Sequence, residues 1–400
     1  MRRLGLGAWG AVSALVLSSA QASDNPAAAL TDLGQALLPT SAANAVASPL
    51  VVATALGMVQ AGANGAAESE IESLFGPRPA GAQALRQGLP DLMKQMQGKT
   101  GTPSPLTLAS RMWVDTGAAA AVPAAYSKRL AQRWNADATR VSFAQSEAAR
   151  AQINSWTAEH TAGRVKDLLP AGSVGTATQM VLTAAVHFRS PWEKPFNAAQ
   201  TEARTFKTAA GESKTVPTML DERAVMQARV AGQWVMEIPF AAGAGGANGG
   251  FALLLVVPDE GQPARFTGVQ LAQWRAALQP VKCAFALPRF AIAPQAAALK
   301  PALMALGVKA VFSDAADLRP MLGRAAHKAH LGDVHHAAGI TVDEAGGEAV
   351  AAAAATVLSK SLALPLPACA VDRGFAFALV HQASGAPLFV GRVGDPTAMP

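Results

Sequence analysis

Residues 342–361 read VDEAGGEAVAAAAATVLSKS, and this stretch is the most informative part of the chain. Alanine has the highest intrinsic helix propensity, so residues 348–355 would form a short helix if local preference alone acted. Such a helix has no apolar stripe to bury. Small side chains also suit a strand that must slide between two others in a close-packed sheet. The alternatives are therefore a solvated alanine-rich loop or a segment of variable conformation that ends in an isolated Lys360 beside Ser361.

The N-terminus has the pattern of a secretory signal peptide. Arg2 and Arg3 precede an apolar run over 4–17, and the sequence Ala-Gln-Ala at 20–22 matches a signal peptidase site. We expect residues 1–22 to be removed and residues 23–400 to form the exported protein, in a periplasm or outside the cell. The apolar run is too short for an anchor, and no later stretch of ~20 apolar residues predicts a membrane span.

Charge and composition argue against nucleic acid as a partner. Removal of residues 1–22 leaves 31 basic against 27 acidic residues, a net charge of +4 without a basic cluster. The high alanine, glycine and arginine content with a single tyrosine is typical of a bacterial chain from a high-GC genome. The remaining ~380 residues exceed the usual size of a single core. Length therefore first suggests two domains, but no linker, charge block or repeat marks a boundary between them.

Hydrophobic periodicity predicts an α+β protein, with helices early and strands late. Helices are predicted at 26–38, 49–62, 146–169 and 296–306, with short ones between 66 and 97; Ser48 is a candidate N-cap. Strands are predicted at 106–114, 180–188, 235–240, 251–258, 283–292, 375–381 and 388–393.

Short motifs spread over ~350 residues resemble those of the serpins. They are 44–49 with the helix to residue 62; Gly65 and 68–75; Ile153, Asn154, Trp156, Thr161, Gly163 and Arg164; Phe188, Trp192, Pro195 and Phe196; Thr205, Phe206 and 216–219; 237–240; 287–290; Gly307 and 310–313; and 388–393. Each is weak alone, but together and in order they are specific. The resemblance implies a single serpin domain over 23–400, with about eight or nine helices, three β-sheets and an exposed reactive-centre loop at about 344–368.

The resemblance assigns the opening stretch to the hinge and the reactive-centre loop. The hinge includes Glu344, Gly346, Gly347, Glu348 and Ala349, and the usual loop length places the scissile bond at Lys360-Ser361. The family mechanism is suicide inhibition: a protease forms an acyl-enzyme at Lys360, and the freed loop enters the central sheet as a new strand. Residues 349–355 contain no charge, ring or proline, which favours an inhibitor over a non-inhibitory or substrate-like serpin.

Three residues depart from the family pattern: Gly347, Val51 and Ala184. Gly347 stands where threonine is usual. Glycine loses more conformational entropy than other residues when it becomes ordered, which predicts slower insertion of the loop. The resemblance places the sheet-opening region at Ser48, Val51, Ala184, Trp192 and His336. Val51 and Ala184 stand where a serine and an asparagine are common, which predicts that His336 lacks its usual hydrogen-bond partners.

The two cysteines, Cys283 and Cys369, permit one disulfide in an exported protein. The resemblance places both in or near strands of the smaller sheet, beside the C-terminal end of the loop. A disulfide there is a hypothesis at this point. It would tether the strand after the loop and oppose spontaneous insertion.

Four histidines within ten residues give the rival interpretation, a histidine-rich metal-binding protein: His327, His330, His335 and His336. Neighbouring residues of a strand point to opposite faces, and only Asp333 adds a nearby ligand, so no metal is expected. A Ser/His/Asp hydrolase is also conceivable, but the chain lacks a G-x-S-x-G motif.

The expected partner is a serine protease, bound covalently by a monomer without a cofactor. A lysine ammonium pairs with a carboxylate at the base of a trypsin-like specificity pocket, so Lys360 predicts a trypsin-like target. A shift in register would instead present Leu358 or Leu362 to chymotrypsin-like or subtilisin-like enzymes.

Overall fold

The computed structural model describes residues 26–97, 105–117, 122–241, 250–260, 262–323, 329–347 and 365–398. Its helices are α1 Pro26–Leu37, α2 Pro49–Gln60, α3 Gly65–Ser73, α4 Ala80–Gln83, α5 Leu89–Gln97, α6 Ala124–Trp134, α7 Ser146–His160, α8 Gly268–Ala276, α9 Lys300–Ala305 and α10 Arg319–Leu322. A π-helical turn over Ala84–Gly88 joins α4 to α5, so these ranges contain nine separate α-helical segments, in agreement with the predicted eight or nine. Within the same ranges, none of the helices has the length and apolar character to cross a membrane.

Sixteen strands in the described ranges form three sheets, which confirms the α+β prediction. They are β1 Ala45–Ala47, β2 Leu106–Asp115, β3 Ala138–Val141, β4 Met180–Phe188, β5 Ser190–Pro191, β6 Glu202–Lys207, β7 Ser213–Val230, β8 Gln233–Pro239, β9 Phe251–Pro258, β10 Gln279–Pro288, β11 Phe290–Ala298, β12 Asp333–Val342, β13 Gly346–Gly347, β14 Ala368–Ala370, β15 Phe375–His381 and β16 Pro387–Val393.

The five-stranded sheet lies at the centre, with strand order β11-β12-β4-β2-β3. One face packs on the main core, which includes α2, and all twelve residues of α2 are buried. The other face forms a smaller core with α7, through residues such as Trp113, Ile153 and Ala337. Continuous apolar runs such as that of β4 follow from this burial on both faces.

The nine-stranded sheet has the order β1-β16-β15-β9-β8-β7-β10-β14, and β6 also pairs with β7. Its continuity depends on β7, an 18-residue strand that pairs with β8 near its C-terminal end and with β6 near its N-terminal end. The short strand β14 therefore lies at the edge, parallel to β10. The third sheet contains only β5 and β13.

Several predicted boundaries were wrong. The helix predicted at 146–169 ends at His160, because Ala162 and Gly163 have left-handed φ values of 51° and 75°. The strand predicted at 283–292 is two strands, β10 and β11. The helix predicted at 296–306 begins only at Lys300, since the alanines before it extend β11.

The N-cap prediction at Ser48 was correct for position but wrong for the hydrogen bond. Ser48 precedes α2 with an extended backbone, and Pro49 occupies the first turn. The Ser48 hydroxyl makes no capping bond; it donates to the Leu388 carbonyl oxygen at 2.7 Å. This side chain therefore joins the helix to β16.

Candidate functional site

The candidate site is built on the boundary between β4 and β12, which we call the seam. The two strands are parallel neighbours and pair only over Val181–Ala185 and Asp333–Ala337. Beyond this point the two strands no longer pair with each other, although β4 continues to Phe188 beside β2 and β12 continues to Val342 beside β11. A cavity of about 20 Å³ lies between the unpaired ends, lined by residues that include Phe188, Ile340 and Gly347. The seam is thus closed at one end and open at the other.

The hinge lies at the open end of the seam. After β12 the chain turns at Asp343, whose carboxylate accepts hydrogen bonds from the backbone N–H groups of Ala345 (2.8 Å) and Gly346 (3.1 Å). Gly346 and Gly347 then form β13 against β5. Gly346 has φ of 142°, and a Cβ there would lie 2.4 Å from the Ser190 carbonyl oxygen. Only glycine fits this close antiparallel approach.

Gly347 has a different environment. Its backbone is not in the left-handed region, and a Cβ at this position would lie 3.4 Å from the Phe188 ring and 3.5 Å from the Phe240 ring. These are ordinary van der Waals distances, so a small side chain would fit. The structure therefore requires glycine at 346 but not at 347.

Trp192 holds the turn from the other side. Its backbone N–H donates to the Ala345 carbonyl oxygen at 2.9 Å, and its indole N–H donates to the Asp343 carbonyl oxygen at 2.8 Å. The indole is buried and stacks on Phe240, with ring centroids 4.4 Å apart. Sequence reasoning placed Trp192 in the sheet-opening region, and its contacts lie at the hinge.

Glu344 anchors the hinge through charge. Its carboxylate is buried and accepts hydrogen bonds from the Arg289 guanidinium, with Nε at 2.6 Å, and from the Thr201 hydroxyl. Burial by itself would raise the pKa of Glu344, but these two donors outweigh it and lower the pKa below its usual value. The sequence identified Glu344 but not these partners, because Arg289 and Thr201 lie on distant segments.

His336 lies under the closed half of the seam, on the face of β12 that packs on α2. Its Nε2 accepts the backbone N–H of Ser48 at 3.1 Å, so the proton is on Nδ1, which donates to the Ala184 carbonyl oxygen at 2.9 Å. The usual side-chain partners of His336 are absent, as predicted, but His336 is not unpaired, because these two backbone groups take their place. Val51 and Ala184 are both fully buried. Burial lowers the pKa of His336 to about 4, although the Ala184 bond opposes this shift.

The other histidines do not converge on His336. His335 follows the strand alternation and lies on the opposite face of β12, where burial lowers the pKa of its imidazole. His327 lies outside the described residues. Within the described ranges, no three histidine, cysteine, aspartate or glutamate residues lie close enough to hold a metal ion.

Cys283 and Cys369 form a disulfide, as hypothesised. Their Cα atoms are 5.9 Å apart, and both side chains are fully buried. The bond joins β10 to β14, the strand that follows residues 348–364. The predicted reactive bond Lys360-Ser361 and the hinge residues Glu348 and Ala349 lie in that segment, outside the described residues.

The geometry defines a mixed α+β protein with a parallel seam in its central sheet and a glycine hinge at the open end of that seam. A sequence model of the family described as Serpin (serine protease inhibitor) matches residues 27–396. The chain therefore belongs to the serpin family.

Named relatives agree with this assignment. Serpin-Z1C of Triticum aestivum is 29% identical and the match covers 89% of this chain and 91% of the relative. A protein named "Serine protease inhibitor" from Cyanea capillata is 26% identical over 96% of this chain and all of its own length. The structure of the thermophilic serpin tengpin in its native state superimposes with a TM-score of 0.80 at 21% identity, covering 92% and 93% of the two chains, which supports the fold alone. These relatives give no support to a bacterial origin or to export, and both stay predictions.

Proposed function

We propose that the protein is an exported bacterial suicide inhibitor of serine proteases, with Lys360-Ser361 as the bond that a trypsin-like protease attacks. The observation that carries the proposal is the seam, closed over Val181–Ala185 and open beside the Gly346–Gly347 hinge. A chain that leaves β12 through the turn at Asp343 reverses direction, so a strand continuing from the hinge would run antiparallel to both β4 and β12.

Insertion of such a strand is favourable for the sheet. The parallel pair β4-β12 would be replaced by two antiparallel pairs, which are slightly more stable per residue. In the open half of the seam, β4 and β12 do not pair with each other, so an inserted strand would add hydrogen bonds there. These gains supply the free energy that holds the protease in its displaced position.

The length of the segment suits the displacement. The 16 residue steps from Glu344 to Lys360 span roughly 53 Å at ~3.3 Å each. A compact chain of this size has a diameter of about 54 Å. An attached protease would therefore travel about one molecular length.

The chemistry requires only the carbonyl of Lys360. The protease serine attacks it, the bond to the Ser361 nitrogen breaks, and an ester joins Lys360 to the enzyme. Insertion must be faster than hydrolysis of this ester. Small residues over 349–355 reduce the steric resistance to insertion.

The test is a mixture of the protein with trypsin, followed by a denaturing gel and mass spectrometry. We expect an SDS-stable complex and a released peptide that begins at Ser361. Lys360→Ala should abolish the complex, whereas Lys128→Ala, at an exposed position on α6, should leave it unchanged. Clean cleavage after Lys360 without a complex would show a substrate-like serpin instead.

Export and a monomeric state complete the proposal and have their own tests. N-terminal sequencing of protein recovered outside the cytoplasm should begin at Ser23. Sedimentation of the purified protein should give the mass of one chain. A cytoplasmic product that retains residues 1–22 would contradict export.

A further inference from the structure

A further cavity lies away from the seam, between α1, α8 and the turn that joins β15 to β16. Its volume is about 330 Å³, at the lower end of the range for small-molecule sites. Much of its wall is made of small apolar groups, from Ala27, Ala28, Leu271, Ala272 and Ala276. Ala272 and Ala276 are exposed, so the cavity opens to solvent. It can therefore admit a small molecule with an apolar part.

The turn between β15 and β16 brings a serine hydroxyl and a histidine together at the edge of this cavity. Ser384 lines the cavity, and its Oγ lies 2.8 Å from Nδ1 of His381. The same Oγ accepts the backbone N–H of Ala386 at 3.3 Å. The Ser384 proton is then the one left to donate to Nδ1, in the tautomer of His381 that carries its proton on Nε2. A hydroxyl within hydrogen-bond reach of a base is the basic arrangement of an activated nucleophile.

The strand and its turn hold His381 in a fixed position. His381 is buried at the end of β15, and its imidazole lies against the Phe251 ring, with ring centroids 5.5 Å apart. Its backbone N–H donates to the Ala386 carbonyl oxygen at 2.9 Å, and its carbonyl oxygen accepts the Gly385 N–H at 2.8 Å. Such fixed geometry lowers the entropic cost of bringing reacting groups together.

Arg275 adds a positive charge beside the serine. It lines the cavity from α8, and a Cβ on Gly385 would lie 3.1 Å from its Nη1. The guanidinium is held in place, because Nε donates to the Glu237 carboxylate at 2.8 Å and Nη2 donates to the Gln382 carbonyl oxygen at 3.3 Å. A fixed cation next to the nucleophile can stabilise the negative charge that develops on a substrate oxygen.

We propose that Ser384 is the nucleophile of an acyl-transfer site for small esters of short aliphatic acids, with His381 as its general base and Arg275 as the group that stabilises the oxyanion. The chain lacks a G-x-S-x-G motif, but sites of this kind occur on unrelated folds and are recognised by geometry. The activity is separate from the proposed inhibition of proteases, since it uses no residue of the seam or the hinge.

The reaction balances with water as the only co-reactant. Ser384 Oγ attacks the ester carbonyl carbon while its proton passes to Nδ1 of His381, and the carbonyl oxygen becomes negatively charged beside Arg275. The bond to the leaving oxygen then breaks, and that oxygen takes the proton from His381, so an alcohol departs and an ester forms on Ser384. Water, deprotonated by His381 in turn, releases the carboxylic acid and restores the serine.

The test uses the full chain alone, without a protease, and p-nitrophenyl butyrate as the probe. The release of p-nitrophenolate gives the rate, and peptide mass spectrometry after stopping the reaction with acid locates the butyryl group. We expect a butyryl ester on Ser384 in the wild type. In Ser384→Ala the ester should be absent and the rate should fall at least about tenfold. The matched control is Ser73→Ala, at an exposed serine of α3, which should leave the rate unchanged.

Two outcomes would overturn the proposal. One is butyryl groups found only on lysines or other serines of the wild type. The other is an unchanged rate in Ser384→Ala, with a melting temperature equal to that of the wild type to show that the variant is folded.

A variant of the cavity wall keeps the test valid if Ser384→Ala does not fold. In Ala272→Phe the new ring would occupy part of the cavity from the exposed side of α8, and it would leave Ser384 and His381 in place. We expect a higher KM for p-nitrophenyl butyrate with a smaller change in kcat. An unchanged KM would show that the ester does not react in this cavity.

Discussion

The two ends of segment 348–364 are held in opposite ways. At the hinge end, Gly346 and Gly347 pair with a two-residue strand, and Glu344 binds Arg289 and Thr201 through hydrogen bonds. At the other end, β14 is fixed to β10 by a disulfide. The first set consists of hydrogen bonds, which can break and form again, whereas the second includes a covalent bond. The difference teaches that the two ends should respond differently to substitution and to pH.

Of the substitutions that test this comparison, Gly346→Ala should have the largest effect on stability. The new Cβ would lie 2.4 Å from the Ser190 carbonyl oxygen and 2.7 Å from Pro191 Cα, and φ would remain in the left-handed region. We expect a loss of about 2–4 kcal/mol in the free energy of unfolding, measured with urea. Non-reducing peptide mapping should still find the disulfide at the other end. A urea midpoint equal to that of the wild type would contradict the packing described for β13.

The pH dependence of the free energy of unfolding should test the closed half of the seam, where His336 lies. The pKa of His336 is about 4 in the folded protein because of burial and about 6.5 when unfolded. Between these values the unfolded chain binds a proton that the folded chain does not. The free energy of unfolding should therefore fall by about 3 kcal/mol as the pH is lowered from 6.5 to 4.

The matched variant is His336→Gln, whose amide can donate to Ala184 and accept from Ser48 without titrating. Its urea stability should lack this part of the pH dependence, while the contribution of His335 remains in both proteins. Parallel stability profiles for the two proteins would show that His336 is not the titrating group.

A smaller effect is expected at the charge that anchors the hinge. Glu344→Gln keeps the shape but weakens the hydrogen bonds from Arg289 and Thr201, so we expect a loss of about 2 kcal/mol in the free energy of unfolding. The control is Glu202→Gln, because Glu202 pairs with Arg204 on the exposed surface and should contribute under about 0.5 kcal/mol.

The sign of the Glu344 effect with pH follows from its lowered pKa. The stabilisation is present above the unfolded pKa of a glutamate, about 4.3, and is lost as the pH falls through the lower folded value. The difference between wild type and Glu344→Gln should therefore shrink in acid. A difference that grew in acid would contradict the ion pair.

The apolar strands were predictable from sequence, but β7 was not. Its middle contains Asp221, Glu222 and Arg223, a run of charged residues that lacks the apolar pattern by which strands are predicted. Arg223 is nevertheless buried, since it binds Asp221 at 2.7 Å and stacks on the Phe196 ring. A pattern of side-chain polarity alone cannot reveal this burial, because the Phe196 ring that covers Arg223 comes from another segment.

Prediction from sequence meets the same limit at the candidate site. The family resemblance located the hinge and placed Cys283 and Cys369 in or near the same sheet, where the structure has the disulfide. The environment of His336 could not be predicted, since its partners are the backbone groups of Ser48 and Ala184, and every residue has such groups. Their availability depends on how α2 and β4 pack, which only the structure shows.

The smallest effect is expected from Gly347→Ala, which should stabilise the folded protein at the hinge. In Gly347→Ala the new methyl group would contact the Phe188 and Phe240 rings without strain. We expect a gain of about 0.4–1 kcal/mol in the free energy of unfolding, because the unfolded chain loses conformational freedom.

The control for Gly347→Ala is Gly175→Ala, which has no atom within 4 Å of the new Cβ and shares only the effect on the unfolded chain. If Gly347 slows insertion, Gly347→Ala should also raise the ratio of trapped complex to cleaved inhibitor, measured on a denaturing gel, whereas Gly175→Ala should not. An equal ratio in all three proteins would show that the entropy of this glycine does not limit insertion. Under the proposed mechanism, the rate would then be set by opening of the seam around His336.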